Sequence, residues 1–284
     1  MDMSRRKFLK MVGLGLTGWA TAGGMSAYIH AALLEPARIE IREQALHLPR
    51  LKGDGLNGLR VAQISDIHMG GWMTRARLKR VVDLVLSRSP EIVLITGDFL
   101  ARRTNGEEVL ADLAAALEPL ARKLPTFTVM GNHDHWNGVE GPRAMLADIG
   151  AHELRNSVAT VRRGGSLLHL AGVDDVWEGH HRLGAVLAAL PADGAAILMA
   201  HEPDFADTAA ESGRFDLQVS GHSHGGQVVI PFVGPPVLPW LGEKYPSGLY
   251  QVGSMWQYTN RGVGMSSPAV RFNCPPEITL FTFN

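Results

Sequence analysis

Eight side chains in this sequence combine types that do chemistry together. Asp66 and His68 lie in SDIHMG, Asp98 in TGDFL, Asn132 and His133 in GNHDHW, His201 directly after AAILMA, and His222 and His224 in SGHSHGGQ. Carboxylate, amide and imidazole form a metal-ligand set, and with no thiolate among them they favour Mn, Fe or Zn over clusters and soft-metal sites. They outnumber the positions of one tetrahedral ion. Two divalent ions about 3.5–4 Å apart, bridged by a carboxylate, would use them all. His222 and His224 are separated by one residue, so on extended backbone both rings face the same way and each reaches one ion. Gly221, Gly225 and Gly226 flank them. Glycine there costs backbone entropy without adding contacts, as expected where the main chain must come close to something.

Such a site needs a scaffold that gathers five separate segments. LRVAQIS (59–65), EIVLITG (91–97), TFTVMG (126–131) and AAILMA (195–200) read as short buried strands. Residues 74–89, 106–122 and 140–149 carry apolar side chains at helical spacing, as at Leu78, Val81, Val82 and Val85. Strand then helix, repeated, specifies an α/β protein with a covered sheet. SVATVRRGGSLLHLAGV (157–173) reads as a hairpin through Gly164-Gly165, and from Leu217 to the closing EITLFTF the chain offers further strands. The expected architecture is a four-layer α-β-β-α sandwich with two facing mixed sheets and helices outside. Ligands of such sheets gather at the carboxyl ends of strands. Asp66, Asp98, Asn132 and His201 each follow a strand, which places the expected dimetal site at that edge.

At these residues the sequence resembles the calcineurin-like metallophosphoesterase superfamily, through SDIH, GD, GNHD, a histidine after a later strand and GHSHGG, in the family's order and over roughly residues 57–284. Within it the chain is most similar to a bacterial exported phosphodiesterase branch with a twin-arginine signal, a branch that also resembles one type of UDP-2,3-diacylglucosamine pyrophosphatase. The resemblance implies a dimetal-dependent phosphoesterase that cleaves phosphodiester or pyrophosphate bonds by attack of a metal-bridged hydroxide. It assigns Asp66, His68, Asp98 and His224 to one metal and Asp98, Asn132, His201 and His222 to the other, with Asp98 bridging. It places His133 near the leaving group rather than on a metal. The family often has an acid three residues after the bridging aspartate, where this chain has Ala101; the change touches support of the ligands more than metal binding itself.

Charge explains why such chemistry needs these groups. A phosphodiester repels hydroxide, and two cations neutralise its oxygens while lowering the pKa of a shared water. The departing alkoxide needs a proton, which an imidazole can donate near neutral pH. His133 is the catalytic candidate, with Asp66 or Asp134 expected to orient it.

The rest of the chain bounds partners and place. With 284 residues, 45% hydrophobic and 19% charged, the composition suits one folded domain plus a leader. Residues 1–34 read as a twin-arginine-type signal or membrane anchor, 35–56 as a linker with a leading strand, and 57–284 as the metallophosphoesterase domain. Arg5, Arg6, Lys7 and Lys10 make the leader basic within an overall charge of −1, so the body is mildly acidic. That excludes nucleic acid as the main partner. SRRKFLK resembles the twin-arginine export motif, Ala20-Thr21-Ala22 has the form of a cleavage site, and the uncharged stretch from Met11 to Leu34 also exceeds the roughly 20 residues that span a bilayer. Cleaved and anchored forms both stay open. Either puts the body in the periplasm or on the outer face of the cytoplasmic membrane. The expected partners are the export machinery and a phosphate-ester substrate, lipid-linked or from the cell envelope.

Cys274 is the single cysteine, so no intrachain disulfide forms. Arg102 and Arg103 suit a second phosphate or plain solvation. PFVGPPVLPWLGEKYPSG (231–248) suits a pocket wall, a membrane-facing lip or rigid packing. His135, His180 and His181 read as solvated or rim residues and Trp136 as packing. A rival to the enzyme is an envelope-binding protein that keeps metals for structure alone.

Overall fold

Successive residues of a strand face opposite sides of its sheet, and here both sides are apolar. Leu59 and Val61 face one way and Ala62 and Ile64 the other; Ile92 and Leu94 alternate with Val93 and Ile95, and Ala195, Ile197 and Met199 with Ala196 and Leu198. Strands buried on two faces must lie between layers. The computed structural model describes residues 24–51, 54–104 and 106–284; the twin-arginine motif and the Ala20-Thr21-Ala22 site fall outside the described residues.

The strands are β1 Glu40–Leu46, β2 Leu59–Ile64, β3 Ile92–Thr96, β4 Thr126–Val129, β5 His152–Glu153, β6 Ser157–Arg163, β7 Ser166–Gly172, β8 Ala195–Met199, β9 Leu217–Ser220, β10 Gly248–Val252, β11 Met255–Thr259 and β12 Glu277–Phe283. They form two six-stranded sheets, ordered β1-β12-β2-β3-β4-β5 and β10-β11-β9-β8-β7-β6. Strands β2 to β5 run parallel, as do β7, β8, β9 and β11, while β12 is antiparallel to β2, and β6 and β10 are antiparallel edges. Both sheets are therefore mixed.

One core lies between the sheets, where Val61, Leu94, Phe281 and Phe283 meet Leu168, Ile197, Leu217 and Tyr258. Outside the first sheet, helix Arg75–Ser87 buries Leu78, Val81, Val82 and Val85, and helix Glu107–Lys123 buries Leu113, Ala116, Leu117 and Leu120. The first helix starts at Thr74, whose hydroxyl accepts the Arg77 N–H. The second has Glu107 and Glu108 in its first turn and Arg122 and Lys123 in its last, matching the helix dipole. Outside the second sheet, Val186 and Leu190 cover Ala171, Ala196 and Leu198 together with Phe205 and Ala209. This is the four-layer α-β-β-α sandwich.

The chain does not divide into one sheet per half. β12 returns to the first sheet, between β1 and β2. Its Ile278 and Leu280 pack on the helix side and its Phe281 and Phe283 on the inter-sheet side, so it needs neighbours on both faces and both edges. Residues 24–29 are helical and continue into the π-helix His30–Leu34. Among the described residues no helix is long and apolar enough to cross a membrane.

Candidate metal centre

All eight site residues come together at the carboxyl ends of β2, β3, β4, β8 and β9. Asp66, His68 and His224 place ligand-capable atoms within 4.8 Å of one another, as do Asp66, Asp98 and His201, and also His68, Asp98 and His133. Asp98 Oδ2 lies 3.6 Å from His68 Nε2 and 3.3 Å from His201 Nε2, between the groups. His224 Nε2 is 3.2 Å from Asp66 Oδ1. Asn132 Oδ1 and His222 Nδ1 meet at 3.0 Å.

Local backbone, rather than extended strand, aims these side chains. Asp66, His68, Asp98, His222 and His224 have φ of 52°, 50°, 56°, 69° and 51°. A non-glycine residue in this left-handed region costs about 1 kcal/mol or more. Five such residues on one sheet edge mark a site held by the surrounding fold. The expectation that His222 and His224 share a face of extended backbone is therefore corrected. They reach the site through a tight turn, with Gly225 also left-handed at φ 62°. The expected close approach does hold at Gly221, where a Cβ would overlap Ser65 and Asp66. At Gly131 a Cβ would overlap Asp98.

The electrostatics fit a cation. Burial pushes the Asp66 and Asp98 carboxyls up, yet imidazoles outweigh it and hold both below the usual carboxylate range: His224 and His201 for Asp66, His201 and His133 for Asp98. Burial pushes His222 down to about 4, helped by His201, and His68 down to about 3, helped by His224 and His133. Burial opposes charge on His201, but Asp98 and Asp66 draw its pKa well above the ordinary value. Two ionised carboxylates thus hold a proton on His201, a positive charge that a metal ion would replace, leaving the neutral imidazole its ligands require.

Hydrogen bonds decide which lone pairs are offered. His201 Nδ1–H donates to Thr96 O at 2.6 Å, leaving Nε2 buried, without a partner and facing Asp98. His222 Nε2–H donates to Trp240 O at 2.8 Å, which leaves the Nδ1 lone pair against Asn132 Oδ1. Two acceptors in contact call for a cation. His68 and His224 stack with centroids 4.9 Å apart and Nε2 atoms 2.9 Å apart, and their buried Nδ1 atoms have no hydrogen-bond partner. The donor set thus fits metal ions.

His133 N–H donates to Asp98 Oδ1 at 2.9 Å, and its ring stands edge-on to His68 at 4.7 Å. Neither Asp66 nor Asp134 orients that ring, contrary to expectation. Asp134 instead accepts the backbone N–H groups of Phe99, Leu100 and Gly131, stapling the loops after β3 and β4. Burial and the neighbouring Asp98 push its pKa up to about 7. Asp66 accepts the His222 N–H.

Other expectations also shift. His135 is no solvated rim residue: its Nε2 is 2.8 Å from Asp174 and its ring stacks on His180. Trp136 is not core packing but stands exposed at the mouth, where Arg102 lies 5.6 Å over its ring. Arg103 is exposed.

Two residues escaped the sequence reading. Trp177 lines the mouth against His222, Trp136 and Trp240, with its backbone N–H held by buried Glu202. It follows β7 at the carboxyl edge, the same signal that marks the ligands. Fully buried Arg271 donates to the carbonyls of Arg261, Gly262, Gly264 and Cys274. That segment in turn donates from Val263 and Gly264 to Ser65 and Asp66, so Arg271 braces the Asp66 loop. No sequence signal marks it.

Fold and site define a metal-dependent hydrolase of the two-sheet α/β kind, and comparison with known proteins agrees. The family pattern described as Calcineurin-like phosphoesterase matches residues 59–226. The chain is 36% identical to the uncharacterized metallophosphoesterase YkuE of Bacillus subtilis (strain 168), covering 99% of this chain and 97% of that one. It is 30% identical to the phosphodiesterase YaeI of Escherichia coli (strain K12), covering 98% of each. The protein TT1561 of Thermus thermophilus shares the fold at 13% identity, with a TM-score of 0.50 over 72% of this chain and 89% of that one. The chain belongs to the calcineurin-like phosphoesterase family, and it is a metal-dependent phosphoester hydrolase.

Proposed function

We propose that the chain is a phosphodiesterase holding two divalent ions, Mn, Fe or Zn. Asp66, His68, Asp98 and His224 would hold one and Asp98, Asn132, His201 and His222 the other, with Asp98 shared. The carrying observation is open space on both sides of His133. A cavity of about 260 Å³ lies along Asn132, His222, Trp177, Val237 and Leu238, and one of about 430 Å³ along His68, Trp72, Ala101 and Arg102. They meet at His133, Trp136, Ser266 and Ser267. A diester needs room for two organic arms around its phosphorus, a terminal phosphate for one.

When bound, such ions neutralise phosphate oxygens and bring the pKa of a water towards neutrality. The chain supplies preorganisation. Thr96 O and Trp240 O fix the rings of His201 and His222, so their lone pairs need not reorient during reaction. His133 is the imidazole of the site outside the ligand set, its backbone tied to Asp98 and its buried Nδ1 without a partner. Facing both cavities, it donates the proton that the departing alkoxide takes up.

A second reading, cleavage of a pyrophosphate bond in a nucleotide-linked acyl sugar, is favoured by Arg102. Its guanidinium on the Trp136 face borders the larger cavity beside His133, where a second phosphate would lie. The basic leader supports export by the twin-arginine route and work outside the cytoplasmic membrane.

The test uses aryl and alkyl phosphodiesters of graded leaving group. His133→Ala should keep two ions per chain by elemental analysis. Turnover should fall about 10²–10⁴-fold for poor leaving groups and much less for good ones. A uniform loss would assign His133 to phosphate binding, and unchanged turnover would remove it from the reaction.

A further inference from the structure

Twelve large apolar side chains are exposed among the described residues, and they are not scattered. Met25, Tyr28, Ile29, Leu33 and Leu34 lie on the helical segment 24–34; Ile230, Phe232, Val233, Val237 and Trp240 lie on the lip 230–240; Trp136 stands at the mouth. Leu249 alone lies elsewhere. Phe232 is 109% exposed at the tip of a turn closed by a bridge between Ile230 and Gly234. Pro231 lies in that turn, and Pro235, Pro236 and Pro239 restrict the chain after it.

The two segments are tied together at their roots. Ala31 O accepts the Arg271 N–H, and the His30 ring meets Phe272 edge-on at 6.2 Å. Phe272 in turn exchanges backbone hydrogen bonds with Gln227 and Val229, at the root of the lip. The lip reaches the reaction centre too: Val237, Leu238 and Pro239 line the 260 Å³ cavity with Asp98, Asn132 and His222. Trp240 carries the carbonyl that orients His222.

We infer that this surface docks on a lipid bilayer and that the substrate is an amphiphile whose phosphoester lies at headgroup level. Its apolar tail would run along the Val237–Pro239 wall. The substrate part rests on the phosphodiesterase reading; the docking part does not. Contiguous exposed apolar surface of this kind marks a protein or membrane contact. The chain itself points to lipid. Residues 228–242 carry no charge, and neither do residues 11–34, which include the exposed helical segment. Arg5, Arg6, Lys7 and Lys10 precede them. Arg77 and Arg80 border Leu33 beside Trp72, so cations rim the apolar surface on the side where anionic headgroups would lie. Tyr28 and Trp240 within the patch suit the membrane–water boundary.

The experiment uses the full Zn-loaded chain with vesicles of phosphatidylethanolamine and phosphatidylglycerol. A nitroxide is attached at Phe232→Cys, Cys274 being buried. Its relaxation by oxygen and by a water-soluble paramagnet reports depth. The label should enter the bilayer. Turnover is then compared for a soluble bis-aryl phosphate and for a lipid aryl phosphodiester embedded in the vesicles. Phe232→Glu with Val233→Glu should keep soluble turnover within about twofold and lose vesicle turnover by about tenfold or more. A label that stays in water overturns the docking and leaves the surface to a protein partner. A double variant that cleaves embedded lipid as fast as wild type overturns the role of the lip in reaching it, and wild type that cleaves the soluble diester but not the embedded lipid overturns the lipid substrate. A label inside the bilayer with neither substrate cleaved by wild type upholds docking and sinks the phosphodiesterase reading.

Discussion

Two clusters of carboxylate and imidazole meet at the short helix Asn132–Trp136, one through Asn132 and His133, the other through His135. In the second, Asp174 is 2.8 Å from His135 Nε2, 2.8 Å from Arg143 and 3.3 Å from Arg155, and Arg143 also pairs with Glu153. Every charge there has an opposite charge beside it. In the first, the carboxylates of Asp66 and Asp98 face histidines, and no arginine or lysine pairs with them among the described residues. Nitrogen atoms of His68, His201 and His224 are buried without a partner. The same residue types therefore build a closed ion-pair network in one place and an open donor set in the other. Unpartnered nitrogen beside uncompensated carboxylate, rather than histidine itself, marks where a metal belongs.

The hardest blow to this contrast is Asp98→Ala. Because Asp98 lies between the two ligand groups, the variant should lose both ions together and reduce turnover by about 10³-fold or more. Elemental analysis with kinetics checks it, and two ions retained in the variant would break the assignment. Chelation sharpens the contrast at the level of stability. Stripping the ions should abolish turnover and cost about 4 kcal/mol for each ion, roughly 10 °C in Tm apiece, if each binds about 10³-fold below its working concentration. Asp174→Asn should lose the same increment on chelation as wild type, since its cluster holds no ion. A smaller increment in the variant would show that the clusters are coupled.

The smallest expected effect is a pH dependence. Burial pushes the Asp174 carboxyl up, but His135, a backbone N–H and Arg143 outweigh it and bring it to about 2. An unfolded aspartate titrates near pH 4, so this contribution is present above about pH 4 and is lost as pH falls towards about 2. Burial opposes charge on His135, yet Asp174 raises its pKa. That contribution is present below about pH 6.5 and is lost as pH rises through the raised value. The stability gap between wild type and Asp174→Asn should be widest between about pH 4 and 6.5. Urea unfolding at about pH 3, 5.5 and 9 measures it, and a gap independent of pH would remove the ion pair from the account.

Much of the site was legible because its ligands sit just past buried strands. LRVAQIS, EIVLITG and AAILMA are apolar on both faces, which fixes them as interior strands, and the polar residue after each must then emerge at a sheet edge. The same logic reaches Trp177, although aromatic residues after strands are common enough to pass unnoticed. GNHDHW shows the limit. His133 lies against His68 and Asp98, Asp134 staples backbone, and His135 joins an ion pair with a residue nearly forty positions away. Nothing within six residues separates these roles.

Segment order and residue type determined the α/β layering and a ligand inventory without thiolate, because alternation, strand length and donor chemistry are local properties. Tertiary structure alone decided the rest. The left-handed backbone at Asp66, His68, Asp98, His222 and His224 exists because packing over-determines those turns. β12 crosses to the first sheet because both its faces need cover. Arg271 is buried because the loops around Asp66 present carbonyls that only a guanidinium can bridge at once. Each of these depends on groups far apart in sequence, and a pairing energy between distant groups has no value until the chain has brought them into contact.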